Sequence, residues 1–164
     1  LLTLQTTVEA NRLQKQVLAR KVKQHFGCPP GVPAPLKGRR FALWGLAFKA
    51  HTDDIREAMS LELIESLRAQ GAELVVHDFE AMPRVRERIG DRVAYTEDFM
   101  AACDGSDALI IATEWPAYAQ ADLDEVGRRL KAKVLFDGRN LFRPEVLLAQ
   151  GWTYHSIGRA SVRP

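Results

Sequence analysis

The sequence predicts an α/β fold: an open parallel sheet with helices on both faces, preceded by a long N-terminal helix. Three observations carry that prediction. Short apolar runs such as Arg40 to Trp44, Glu73 to His77 and Ala108 to Ala112 alternate with amphipathic stretches, the signature of a parallel sheet wound by helices. Glycines stand where helices would end, at Gly71, Gly90 and Gly151. The chain has 164 residues, of which 46% are apolar, enough for one domain with a real core.

The first predicted element is a helix from Leu4 to Phe26. Leu4, Val8, Asn11, Lys15, Leu18 and Val22 recur at spacings of four and three, which places them on one face. Residues 28–37 follow as a linker, because Gly27 to Pro35 holds four prolines and two glycines and can neither continue a helix nor pair as a central strand. Strands are then expected at Arg40 to Trp44, Glu73 to His77, Arg92 to Tyr95, Ala108 to Ala112, Lys133 to Phe136 and Thr153 to Ile157. Helices are expected at Ser60 to Gln70, Met82 to Ile89, Glu97 to Ala102, Leu123 to Leu130 and Arg143 to Gln150.

Composition narrows the function. The net charge is +2 with acids and bases interspersed, so no nucleic-acid-binding stripe is visible. No apolar run approaches the roughly 18 residues of a membrane span. Cys28 and Cys103 stand far apart without metal or CxxC spacing, which points to neither zinc nor a disulfide framework and makes a reducing cytoplasm the expected setting. The chain opens on Leu1 with helical character, as a piece of something longer would.

The most informative stretch runs from Gly45 to Ala58. It leaves the first strand at its carboxyl end, where open α/β sheets bind ligands, and brings Lys49, Arg56 and backbone N–H groups there. Gly45 allows a sharp turn and close ligand approach. Phe48 and Lys49 together could shield one part of a ligand and neutralise another, although taken alone Phe48 reads as core and Lys49 as a solvated charge. Thr52, Asp53 and Asp54 read most simply as helix caps; if the helix starts instead at Ser60, Arg56 projects from a loop. Phe136-Asp-Gly-Arg-Asn140 forms a second candidate site, where Arg139 offers a planar fork of donors, against the alternative of an Asp137 to Arg139 surface pair. The glycine pattern GxGxxG is absent, so Asp78 is weak evidence for a ribose contact and this domain is not expected to hold a dinucleotide by itself. His51, His77 and Trp115 read as structural.

These motifs resemble those of the UDP-glucose/GDP-mannose dehydrogenase family. The Gly45 to Ala58 stretch is similar to its signature, Glu9 to Lys15 to a motif on its central helix, Thr113-Glu-Trp115 and Asp137-Gly-Arg-Asn140 to its ligand-edge turns, and Tyr154 to Gly158 to its closing Tyr-x-x-Ile-Gly. Met59, often proline in relatives, and His77-Asp-Phe79, usually Tyr-Asp-Pro, depart from it. The resemblance implies a Rossmann-like nucleotide-sugar (UDP) binding domain over residues 38–164 and a linking and dimerisation helix over residues 1–27. It implies substrate contacts from Phe48, Lys49 and Arg139, and a contact from Arg56 to NAD, which is held mainly by another domain. The implied reaction converts UDP-glucose to UDP-glucuronate with two NAD, feeds surface polysaccharide synthesis, and is run by a cytoplasmic homodimer or larger oligomer. It proceeds through a cysteine upstream of the linking helix, so neither Cys28 nor Cys103 is a catalytic candidate and this chain by itself is expected to be inactive. Related alternatives are a GDP-mannose or UDP-N-acetyl-hexosamine dehydrogenase domain; an unrelated one is a nucleotide-binding module without chemistry.

Overall fold

A computed structural model describes residues 15–164. Six strands, β1 (Arg40–Trp44), β2 (Glu73–His77), β3 (Ala94–Tyr95), β4 (Ala108–Ile111), β5 (Val134–Asp137) and β6 (Thr153–His155), form one parallel sheet in the order β3-β2-β1-β4-β5-β6. The order reverses between β1 and β4. In open α/β sheets that switch point is where the crevice at the carboxyl ends of the strands binds a ligand.

Strand alternation explains the two-sided core. Phe41, Leu43, Leu74, Val76, Ile110 and Phe136 point to one face, while Ala42, Trp44, Val75, Leu109, Ile111 and Leu135 point to the other. On the first face lie α1 (residues 15–26), α2 (Met59–Ala69) and α3 (Met82–Ile89), which bury Leu18, Val22, Leu63, Leu67 and Val85. On the second lie α4 (Pro116–Ala119), α5 (Leu123–Arg129) and α6 (Pro144–Ala149), which bury Tyr118, Val126 and Leu147. The Leu18 and Val22 face expected of the first helix is thus a packing face, shared with the sheet; Leu4, Val8 and Asn11 lie outside the described residues. Leu36 anchors the proline-rich segment, being fully buried with its N–H donated to the Gln70 carbonyl at 2.8 Å.

Two expectations need correction. The helix predicted over Glu97 to Ala102 is a loop ending in one 3-10 turn, Ala101–Cys103. The Asp98 carboxylate accepts from Met100 N–H at 3.0 Å, and Thr96 Oγ1 accepts from Asp98 N–H at 3.2 Å, so short polar side chains satisfy the backbone in place of a helix. Helix α4 was not expected; Pro116 opens it, as proline favours a first helical position.

A histidine pair ties α1 to the sheet edge. His25 Nδ1 lies 3.1 Å from His155 Nε2, and His155 Nδ1 lies 2.7 Å from Ser161 Oγ, while the His155 ring stacks on Phe136 at 4.7 Å. Burial first, then the positive charges of His25, Arg163 and Lys21, push His155 down to about 4. His25 is lowered too, by burial first and then by Arg163 and Arg39. Between about pH 6.5 and about 4 the unfolded chain therefore binds protons that the folded one refuses, so stability falls as pH falls through that window. At about 1.4 kcal/mol per unit, His155 accounts for a loss of about 3 kcal/mol. Urea unfolding at neutral pH and near pH 4 checks this, and His155→Gln should flatten the dependence.

Candidate functional site at the sheet switch point

The chain leaves β1 at Gly45, whose φ is 101°. A Cβ there would lie 2.5 Å from Thr113 Cβ and 2.6 Å from Thr113 N, so the β1 and β4 ends approach closer than any side chain permits. Thr113 Oγ1 donates to the Ala47 carbonyl at 2.7 Å, and Ser60 Oγ donates to the Leu46 carbonyl at 2.7 Å. The loop is fixed from both sides before it reaches Phe48.

Its first four backbone N–H groups, Gly45 to Phe48, expected to be free for an anion, are occupied. Gly45 N–H donates to the His77 carbonyl at 2.8 Å and Phe48 N–H to the Asp54 carbonyl at 2.7 Å. Leu46 and Ala47 N–H donate to Asp78 Oδ2 at 2.7 and 3.1 Å. Asp78 also accepts from Trp115 Nε1 at 3.3 Å and from Glu80 and Ala81 N–H at 2.8 and 2.9 Å. A carboxylate with that many donors is a structural clamp, unavailable to a ribose. With no glycine-rich turn after β1 and the Asp78 carboxylate committed to backbone N–H groups, this turn does not fit the pyrophosphate of a dinucleotide.

What the loop presents is side chains. Phe48 is 42% exposed, contrary to a core reading, and Lys49 is exposed and forms no ion pair among the described residues. Arg139, from the turn after β5, reaches the same crevice: Nη2 donates to the Phe48 carbonyl at 2.6 Å and Nε to the Ala112 carbonyl at 3.0 Å. One guanidinium thus joins the segments that follow β1, β4 and β5. Two of its five donors are spent in holding it, and Nη1 stays open to an anion.

The turn that presents Arg139 rests on Asp137, which is fully buried rather than half of a surface pair. Its carboxylate accepts from Arg139 N–H at 3.0 Å, Leu141 N–H at 2.7 Å and Tyr154 Oη at 2.6 Å. Burial, then the neighbouring carboxylate, holds the Tyr154 phenol protonated well above its ordinary range. Gly138 is needed on steric grounds, since a Cβ would lie 2.9 Å from the Ile111 carbonyl.

Helix α2 starts at Met59 with Ala58 as its N-cap, so Asp53 and Asp54 do not cap it. Arg56 projects from the loop and forms a two-pronged pair with Asp54, at 3.0 and 2.8 Å. Those hydrogen bonds pull the Asp54 carboxyl down to about 2. Asp53 pairs with Arg84 at 2.7 Å. The structure therefore brings Arg139 to the Phe48 carbonyl, next in the chain to Lys49, and leaves Arg56 paired with Asp54 and 84% exposed. Sequence reasoning missed Glu114, whose Oε2 lies 3.3 Å from Arg139 Nε; the Thr113-Glu-Trp115 motif was the available signal. Trp115 is packing, as expected, against Phe79 and His51. Cys103 is buried, and burial pushes its thiol up to about 12, which leaves it unreactive.

Residues 42–144 match the sequence model of the UDP-glucose/GDP-mannose dehydrogenase family, UDP binding domain. A UDP-glucose 6-dehydrogenase of Pseudomonas aeruginosa is 41% identical over 93% of this chain and 34% of its own length. Another from Bacillus subtilis is 37% identical over 98% of this chain and 33% of its own. A solved UDP-glucose dehydrogenase from Pyrobaculum islandicum superposes with a TM-score of 0.74 at 32% identity, covering 93% of this chain and 31% of that one. The chain spans about a third of the length of these relatives.

Proposed function

Because the chain belongs to the UDP-glucose/GDP-mannose dehydrogenase family, contributing its UDP binding domain, we propose that it holds the nucleotide sugar of an NAD-dependent UDP-glucose 6-dehydrogenase. The observation that carries this is Arg139 reaching across the β1/β4 switch point to the Phe48 carbonyl, one residue before the exposed Lys49. Two cations and an exposed ring suit a pyrophosphate beside a flat or apolar group. UDP-glucose is the sugar nucleotide of choice because the relatives named above are UDP-glucose dehydrogenases.

In this reading Lys49 and Arg139 neutralise the pyrophosphate, Phe48 covers the ligand beside it, and Arg56 faces NAD bound by residues outside this domain. NAD supplies the hydride acceptor; this chain's task is to bind and orient the sugar. Residues 1–27 serve as the link to the cofactor domain and as a dimer contact, and residues 28–37 carry the chain from that segment into the nucleotide-sugar domain. The enzyme works in the cytoplasm; among the described residues no helix is long and apolar enough to cross a membrane.

The test separates the two ligands. In the intact dehydrogenase Arg56→Ala should raise the Michaelis constant for NAD about tenfold and leave that for UDP-glucose near normal, because it removes a contact to one partner only. The chain by itself should form no NADH from UDP-glucose and NAD. Steady-state kinetics with each substrate varied would contradict the assignment if Arg56→Ala raised the constant for UDP-glucose and spared that for NAD.

A further inference from the structure

We propose that Glu114 sets the charge selectivity of the crevice, disfavouring ligands whose phosphates carry additional negative charge. The inference rests on the reading of Lys49 and Arg139 as the pyrophosphate contact. Glu114 stands in the turn after β4, with a side chain 40% exposed and Oε2 3.3 Å from Arg139 Nε. That oxygen is buried and has no hydrogen-bond partner among the described residues. Its compensation is the Arg139 ion pair alone, without a hydrogen bond, and a carboxylate held that way calls for a reason.

Holding Arg139 in place is not that reason. The Ala112 and Phe48 carbonyls already take Nε and Nη2 at 3.0 and 2.6 Å, with geometry that the carboxylate lacks. What Glu114 adds is charge. It sets one negative charge against the two positive ones of Lys49 and Arg139, within ångströms of where a phosphate would sit, and it repels each further negative charge on the ligand. A pyrophosphate capped by a sugar at both ends carries a single ionisation on each phosphorus. An uncapped nucleoside diphosphate has a terminal phosphate that ionises a second time near pH 6. Glu114 therefore penalises the uncapped ligand more than the capped one and biases the site toward sugar diphosphates in a cell rich in free nucleotides.

Calorimetric titration of UDP-glucose, UDP and inorganic pyrophosphate into the wild-type chain and Glu114→Gln tests this. The variant should bind UDP and pyrophosphate about fivefold more tightly and UDP-glucose about threefold, so that the UDP to UDP-glucose ratio shifts about twofold, and raised salt should shrink the difference. Glu114→Ala must shift the UDP to UDP-glucose ratio in the same direction, which guards against an effect of the glutamine amide. An unchanged ratio in both variants, or weaker UDP binding, overturns the role of Glu114. Failure of the underlying reading would look different: Arg139→Ala would then leave UDP affinity where it was.

Discussion

Gly45→Ala is expected to destabilise the domain by about 3 to 5 kcal/mol, from overpacking at about 1 to 3 kcal/mol and backbone strain of similar size. The added methyl would stand 2.5 Å from Thr113 Cβ, and the φ of 101° is one that alanine rarely adopts. Trimming Thr113 would not rescue the variant, because the Thr113 backbone nitrogen is also only 2.6 Å from the new atom. Gly31→Ala is the matched control. Its φ is 81°, yet nothing lies within 4 Å of the added Cβ, so it bears the backbone strain alone. Urea unfolding of both variants separates steric closeness from glycine's conformational freedom. Equal losses in the two would mean that the β1 and β4 ends are not pressed together as described.

That close approach ties the fold to the site. The loop after β1 is pinned by Thr113 and Ser60, and the Asp78 carboxylate takes up two of its N–H groups. The turn from Gly45 to Phe48 therefore cannot cradle a phosphate with its backbone, and the charge that follows it comes from Lys49. Arg139 adds the second charge from across the switch point. The proposed anion site, built from side chains on a rigid frame, differs from the glycine-rich turn of dinucleotide-binding sheets and needs no GxGxxG after β1.

Most of the sheet was legible in the sequence because its strands alternate between two buried faces. Arg40–Trp44 and Glu73–His77 begin and end where apolar periodicity places them, and Met82–Ile89 carries Pro83 in its first turn and ends at Gly90. The misread segment, Glu97 to Ala102, has helical residue types, and its Thr96 and Asp98 side chains win the backbone hydrogen bonds locally. Propensity does not register that competition.

The site was legible in its charged residues and illegible in their supports. Lys49 and Arg139 stand just past strands, which is enough to place them at the ligand edge. That Asp78 reaches Leu46 and Ala47, 32 and 31 residues away, follows only once β1 and β2 are paired. Asp137 likewise reads as half of an ion pair with Arg139 until Tyr154, 17 residues on, is seen to reach its carboxylate from β6. Short-range pattern suggests the nearest partner of opposite charge; tertiary structure supplies a buried donor instead.

Titration of UDP into the chain, wild type against Lys49→Ala, Arg139→Ala and the double variant, tests the central claim most directly. A charge-assisted hydrogen bond contributes about 1.5 to 3 kcal/mol, so each single variant should lose about tenfold or more in affinity, and the double variant about a hundredfold or more. Lys49 is exposed, so Lys49→Ala should keep the wild-type stability to within about 1 kcal/mol; Arg139→Ala also removes two tethering hydrogen bonds and the Glu114 ion pair, so its fold is verified by urea unfolding alongside the titration. UDP should bind saturably, more weakly in each single variant and about a hundredfold or more weakly in the double one. UDP bound equally well by the folded double variant would contradict this and return Lys49 and Arg139 to the status of surface charges.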